Sequence, residues 1–252
     1  MLVILPPSET KVSGGLEGTR LELSALSFPA LLAARESMVA QVVALSGDTE
    51  ASLKALKLGP QGLGEVERNR ELLSSPLLPA LSRYTGVLYD ALHGEGREPD
   101  ADAWAKNNLA VFSALFGLIR GGDLIPAYRL SWNSSVPGGK ISRQWEPYVA
   151  TLWEQVEGFV LDLRSEGYRS LAPVPEGRGV YGALVQPGVV GSRKALGHTN
   201  KAVKGQLVQT LAVSRPTISS VEDFVEWGSQ HGYDVDPHSH QCGRIDVVIS
   251  GS

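Results

Sequence analysis

Met1-Leu2-Val3-Ile4-Leu5-Pro6-Pro7-Ser8-Glu9-Thr10-Lys11 opens the chain and sets the expectation for its architecture. The apolar run Leu2–Leu5, stopped by two prolines, predicts a short buried strand. The strand runs into Ser8, Thr10 and Lys11, so two hydroxyls and an ammonium lie at a strand's carboxyl end. In open α/β sheets that is where ligands bind. The G-x-x-x-x-G-K-[ST] pattern of a phosphate loop is absent, so any anion held here is held another way.

Working outward, strand and helix patterns alternate. Pro29–Leu45 has apolar residues at helical spacing, and Asp48 is a cap for a helix over Thr49–Leu58. Gly59–Gly64 reads as a compact turn, and Glu65–Leu73 as a third helix. Leu77–Leu81 reads as helical, and Tyr84–Leu92 fits either strand or helix. Asp102–Asn108 predicts a helix, Leu109–Leu115 a buried strand and Phe116–Arg120 a short helical turn. Ile125–Ser131 is extended. Ile141–Val156 predicts one helix with Trp145 on its apolar face. Phe159–Leu163 and Gly179–Val185 are strands, and Lys201–Ala212 and Val221–Gly228 are helices. Tyr233–Val235 and Ile245–Ile249 are short strands, the second at a sheet edge. The class is α/β or α+β, a mixed sheet flanked by helices, in one domain over residues 1–252 with a helical hairpin at about 49–73.

Composition narrows the partners. The chain is 42% hydrophobic and carries a net charge of −4, against the basic balance usual in nucleic-acid-binding domains. Cys242 is the only cysteine, which fits a reducing compartment. No apolar run approaches the ~20 residues of a membrane helix, and the first is too short for a signal-peptide core. The expectation is a cytoplasmic protein without membrane contact.

Several segments carry chemistry-bearing residues. Around the turn Gly59-Pro60-Gln61-Gly62-Leu63-Gly64, the helix–turn–helix of Leu53–Asn69 resembles a helix-hairpin-helix. Such an element grips DNA phosphates through backbone N–H groups freed by glycines, here Gly59, Gly62 and Gly64, with Lys57 and Arg68 adding charge. An ordinary αα-hairpin has the same pattern, and Glu65, Glu67 and Glu71 dilute the positive charge. Arg83, Tyr84, Tyr89, Tyr128, Arg129, Trp132, Arg143 and Trp145 form an aromatic and basic set of the kind that stacks on bases, or that lines core margins. His198-Thr199-Asn200-Lys201 leads into a helix whose Lys201 and Lys204 share a face, a pattern that suits an anion site at a helix start or a solvated basic face. His238, His240 and Cys242 alternate on an extended segment near Asp236, as N/N/S ligands would. The spacing is not a standard zinc motif and Pro237 interrupts it, so no metal or cofactor is assigned. G-x-S-x-G, H-E-x-x-H, C-x-x-C and G-x-G-x-x-G are all absent.

Taken in order, these segments resemble the YaaA family of peroxide-stress proteins. The blocks are MLVILPPSETK, then Gly86 and Tyr89 within RYTGVLYDAL, then FSALFGLIRGGDLIPAYRLSW from Phe112 to Trp132. They continue with Lys140 and Trp145, with Leu163, Ser165 and Tyr168, and with Lys201, Ala202 and Gly205, where Lys204 takes an Arg position. Ser131 departs from the Glu usual after Y-R-L. The resemblance implies protection against peroxide, a distinctive fold with a helix-hairpin-helix, and duplex DNA binding; it implies no shared reaction. Two functions follow for the hairpin and the cleft, beside a third, an iron- or zinc-sequestering protein using His238, His240 and Cys242. One is a DNA-binding stress protein, gripping phosphates at the hairpin and in a basic cleft. The other is an enzyme acting on a nucleotide or nucleobase-like metabolite in that cleft, with Tyr89 or His198 moving a proton. Either way the partner bears a phosphate or carboxylate. The cleft is expected to gather Ser8, Lys11, Gly86, Tyr89, Arg129, Trp145, Lys201 and Lys204.

Overall fold

The computed structural model describes residues 1–93, 98–187, 193–197, 199–241 and 243–249, with the backbone alone at positions 195, 237, 240 and 241. β1 (Leu2–Leu5) is buried at every position. After a long loop come α1 (Leu32–Ser46), α2 (Thr49–Ala55), capped by the Asp48 carboxylate, and α3 (Leu63–Arg70). A two-residue β2 (Leu78–Pro79) leads to α4 (Ala80–Arg83), α5 (Val87–His93) and α6 (Pro99–Asn108). β3 (Leu109–Ser113) and β4 (Gly117–Arg120) form a hairpin; β5 (Leu124–Ile125) pairs with β2, and β6 (Ser135–Val136) with β7 (Gly139–Lys140). Next are α7 (Ile141–Trp145), α8 (Val149–Glu154), β8 (Val160–Asp162) and α9 (Glu166–Arg169). The chain ends with β9 (Gly179–Pro187), β10 (Arg193–Ala195), α10 (Asn200–Ser214), α11 (Val221–Gln230), β11 (Asp234–Gln241) and β12 (Arg244–Val248).

The main sheet has the order β11-β12-β9-β8-β1-β3-β4, with β10 pairing β9. Strands β12, β9, β8, β1 and β3 are mutually parallel; β11 and β4 are antiparallel at the two ends, and β10 pairs antiparallel with β9. The sheet is therefore mixed and flanked by helices. From β1 the chain proceeds to β3 on one side, whereas from β8 it proceeds to β9 on the other. The order reverses between β1 and β8, and a crevice opens beyond their carboxyl ends. Helix α10 packs closely along α5 because Gly205 leaves room: a Cβ there would lie 2.3 Å from the Leu88 carbonyl oxygen. The pairing brings the first turns of both helices to the crevice.

Several local expectations give way to tertiary context. Phe116–Arg120 does not form a helical turn; Gly117, at φ +65°, turns the chain and β4 returns along β3. Ile141–Val156 is not one helix, because Pro147 lacks the N–H an interior turn needs and the stretch divides into α7, a 3-10 turn and α8. Leu77–Leu81 gives a two-residue strand before a short helix. Tyr84–Leu92 resolves as helix only from Val87. Ile245–Ile249 is not at an edge, since β12 lies between β9 and β11. Among the described residues, no helix is long and apolar enough to cross a membrane.

The long loops are held by buried cations. Five basic side chains are buried among the described residues: Lys11, Arg35, Arg83, Arg164 and Lys204. The Arg35 guanidinium donates to the carbonyls of Leu26, Ser27, Phe116 and Leu118. Arg83 donates to those of Val12, Gly14, Pro76 and Ile125. Arg164 grips the Asp162 carboxylate at 2.9 and 2.8 Å and the Tyr168 and Ala172 carbonyls. Buried carbonyls without a ladder partner need such donors. Replacing Arg35 by Met should therefore cost about 2–4 kcal/mol in urea unfolding, because buried carbonyls left without a donor cost about 1–3 kcal/mol each; a loss below about 1 kcal/mol would contradict this role.

The lysines give a pH signature. Burial lowers the Lys11 ammonium to about 7, helped by Arg129, and lowers Lys204 to about 8 against the pull of Asp162. Above those values and below the ordinary 10.5, the unfolded chain holds protons that the folded chain has released, so stability should rise with pH through that window. The ceiling is roughly 1.4 kcal/mol per pH unit per lysine. Above pH ~10 the trend should turn downward, because burial raises Tyr84, Tyr89 and Tyr128 and the unfolded tyrosines ionise first. Urea unfolding across this range checks both limbs, and Lys11→Met should flatten the rising one; a falling profile below pH ~10 would contradict the assignment.

Candidate functional site

The crevice beyond β1 and β8 is a cleft of about 780 Å³. One wall is the loop Pro6–Thr10, continuing from β1. Facing it are Ser165, Glu166 and Tyr168 after β8, and Tyr181 on β9. The start of α5 and, packed beside it, Asn200, Lys201 and Lys204 of α10 also line the cleft. Ser131 and the half-exposed ring of Trp132 complete the rim.

The β1 loop is tied into a fixed shape. Lys11 forms a bridge with Tyr84, and its Nζ donates back to the carbonyls of Ser8 at 2.9 Å and Glu9 at 3.3 Å. That ammonium sits 4.2 Å from the centre of the Tyr128 ring. The Ser8 and Thr10 hydroxyls lie 3.1 Å apart, facing Gly86. Gly86 has φ +103°, and a Cβ there would stand 3.5 Å from both hydroxyl oxygens, so glycine serves both the turn and the opening. Beneath the loop, hydroxyls run in a chain from Ser113 to Tyr128 to Tyr84, each step 2.7 Å.

Lys204 is the buried cation of the cleft. Its Nζ donates to the Leu163 carbonyl at 2.7 Å, just beyond β8, and lies 6.0 Å from the Tyr181 ring centre. Lys201, one turn earlier, is exposed. Burial raises the Tyr168 hydroxyl, although its bond with Ser131 opposes the shift. The arrangement offers hydroxyl donors, two ammonium groups and the first turn of a fifteen-residue helix, the equipment for binding an anion.

Of the residues expected to share a cleft, Ser8, Gly86, Tyr89, Lys201 and Lys204 line this one. Lys11 and Arg129 sit one layer behind the wall: Arg129 pairs with Glu9 at 2.7 Å, and Glu9 lines the cleft. Trp145 is a core residue, because its indole N–H donates to the Ala114 carbonyl at 2.9 Å and its ring packs against Phe112. The Tyr89 hydroxyl donates to the Pro6 carbonyl, and burial raises it strongly, so it braces the loop and is a poor proton carrier at neutral pH. His198 and Cys242 lie outside the described residues. His238 is exposed, and its backbone N–H donates to the Asp236 carboxylate, which also pairs with Arg193. Among the described residues, no group of three or more His, Cys, Asp or Glu is placed to hold a metal ion.

In the hairpin, α2 and α3 both contact α1, and Ser52 of α2 and Val66 of α3 are buried. Lys57 ends α2 in the left-handed region at φ +56°. Gly62 has a packing reason, since a Cβ would meet the Leu58 Cβ at 2.7 Å, whereas Gly59 and Gly64 face open space. Arg68 is clasped by Glu65 at 2.8 and 2.9 Å and reaches Ser13, and Arg70 pairs with Glu67. Sequence reasoning did not single out Glu9, Thr85, Glu166 or Tyr181 as site residues. Glu9 lay inside the quoted loop, but its pairing with a residue 120 positions away has no local signal.

The chain is similar to known proteins over nearly its whole length. Residues 1–239 match the family described as peroxide stress protein YaaA. A UPF0246 protein of Corynebacterium efficiens is 41% identical over 255 residues, spanning 99% of this chain and 100% of its own. One from Streptomyces coelicolor is 39% identical over 258 residues, spanning 99% and 98%. A more distant UPF0246 protein of Lactobacillus delbrueckii is 27% identical over 161 residues, 62% of this chain and 66% of its own. The chain belongs to the YaaA family of peroxide stress proteins.

Proposed function

We propose that this peroxide-stress family member binds a small molecule of nucleotide size, bearing a phosphate or carboxylate, in the cleft between β1 and β8. The observation that carries the reading is the convergence of Lys201, Lys204 and the start of α10 with the Ser8 and Thr10 hydroxyls at the point where strand order reverses. The volume of about 780 Å³ falls in the range usual for small-molecule sites. The exposed face of Trp132 at the rim suits a planar group attached to the anion. If the cleft also supports chemistry, Lys204, lowered to about 8 by burial, is the group best matched to proton transfer near neutral pH.

Duplex DNA at the α2–α3 hairpin is the second reading. Exposed Lys54 and Lys57 beside the open Gly59 favour it, while the Arg68–Glu65 and Arg70–Glu67 pairs remove much of the charge that phosphate contacts need. The readings separate in one experiment. Thermal shift with AMP and inorganic phosphate, run beside a gel shift with duplex DNA at ~50 and ~200 mM salt, should give stabilisation by AMP and little retention of DNA. Lys201→Ala and Lys204→Met should each weaken AMP binding by about 1–3 kcal/mol, the scale of a charge-assisted hydrogen bond. Salt-sensitive DNA retention lost in Lys54→Ala/Lys57→Ala, with no AMP shift, would overturn the cleft reading.

A further inference from the structure

We infer that the Glu9 carboxylate occupies an anion subsite on Arg129, and that the phosphate or carboxylate of the cleft's ligand displaces it. The inference rests on the proposed cleft and assigns that cleft its anchoring group.

The pair is unequal. The Glu9 side chain is 62% exposed and lines the cleft, whereas that of Arg129 is 15% exposed. Glu9 Oε2 accepts from Arg129 Nη2 at 2.7 Å. Arg129 Nε is buried and has no hydrogen-bond partner. Nε and Nη2 lie on one edge of the guanidinium, the edge that a carboxylate or phosphate takes with two oxygens. Glu9 satisfies half of it. A buried donor left unpaired is a cost that a bidentate ligand removes.

The surroundings favour exchange of the side chain without movement of the wall. Arg129 cannot withdraw, because the Asn69 side chain accepts from its N–H and donates to its carbonyl, both at 2.7 Å. The Glu9 backbone is held by Lys11 Nζ through its own carbonyl. Only the Glu9 side-chain torsions need turn to clear the guanidinium, and an exposed carboxylate loses little on returning to water. Once it leaves, the charges acting on Lys11 are those of Arg129, Arg68 and Glu65, and Arg68 is already paired with Glu65. That excess of positive charge calls for an anion, and Ser8, Thr10 and Tyr168 line the same cleft as Glu9. Displacement would thus join the residues in the wall to the cations behind it.

The alternative is that the pair only pins the loop. Titration calorimetry of the full chain with inorganic phosphate at fixed ionic strength distinguishes the two. Glu9→Gln should tighten phosphate binding by about fivefold or more, since the competing carboxylate is gone. Glu166→Gln removes the same charge from the same cleft away from Arg129, and should tighten binding less than Glu9→Gln does, through long-range charge alone. Arg129→Lys should cancel the gain when combined with Glu9→Gln, because an ammonium lacks the two-donor edge. Equal effects of Glu9→Gln and Glu166→Gln, or a gain that persists in the Glu9→Gln/Arg129→Lys double variant, would overturn the inference. Phosphate binding lost in Lys201→Ala but indifferent to Glu9→Gln would refute the displacement and leave the cleft standing. Absence of phosphate binding in every chain, Glu9→Gln included, would remove both.

Discussion

The structure depends on buried cations that satisfy the carbonyls of its loops. The central strands are short, β1 having four residues and β8 three, and long irregular segments separate them. A loop drawn into the interior brings carbonyls that no ladder can pair. Arg83 gathers three such segments, from the β1 loop, from the approach to β2 and from β5. Arg35 ties the loop before α1 to the β3–β4 hairpin, and Arg164 ties the end of β8 to α9 and the turn after it. Because a guanidinium presents five donors in a rigid plane, each hub fixes the relative positions of loops that share no strand. The rigidity of the cleft wall follows from this: the loop after β1 is held at Val12 and Gly14 by Arg83 and at Ser8 and Glu9 by Lys11.

The same constraint shapes the electrostatics. The chain as a whole is acidic, with a net charge of −4, yet cations concentrate around one crevice. Lys201 and Lys204 lie in the lining, and Lys11 and Arg129 behind Glu9. Burying lysines is unfavourable for their charged forms, and Lys11 and Lys204 both carry that penalty beside the cleft. A site that holds cations in poorly solvated positions is prepared for an anion before it arrives, which strengthens the contact once water is displaced. The hairpin lacks that concentration: its four basic and four acidic residues balance, and its arginines pair with glutamates one turn away.

Much of this was legible in the sequence where a signal is local. β1, β3 and α10 follow from unbroken or periodic apolar patterns, and the Asp48 cap from its residue type. Ser8 and Lys201 could be nominated because each lies at the end or start of a rigid element. Signals failed where the deciding partner is remote. Phe116–Arg120 is as apolar as a helical turn, and only pairing with β3 makes it a strand. Trp145 has the chemistry of a stacking residue, but the Ala114 carbonyl lies where its N–H can reach it inside the core. The register of Glu9 against Arg129, and the clasp of Asn69 around the Arg129 backbone, depend on contacts 120 and 60 positions apart. No periodicity encodes such contacts.

The central claim is that the crevice between β1 and β8 is where this protein meets its ligand. Amide chemical-shift mapping of the isotope-labelled chain during titration with AMP tests it most directly. The account predicts saturable shifts gathered on Ser8–Thr10, Thr85–Val87, Ser165–Tyr168 and Asn200–Lys204, with the turn Gly59–Gly64 unmoved. Shifts confined to Lys57–Arg68, or none that saturate, would contradict it.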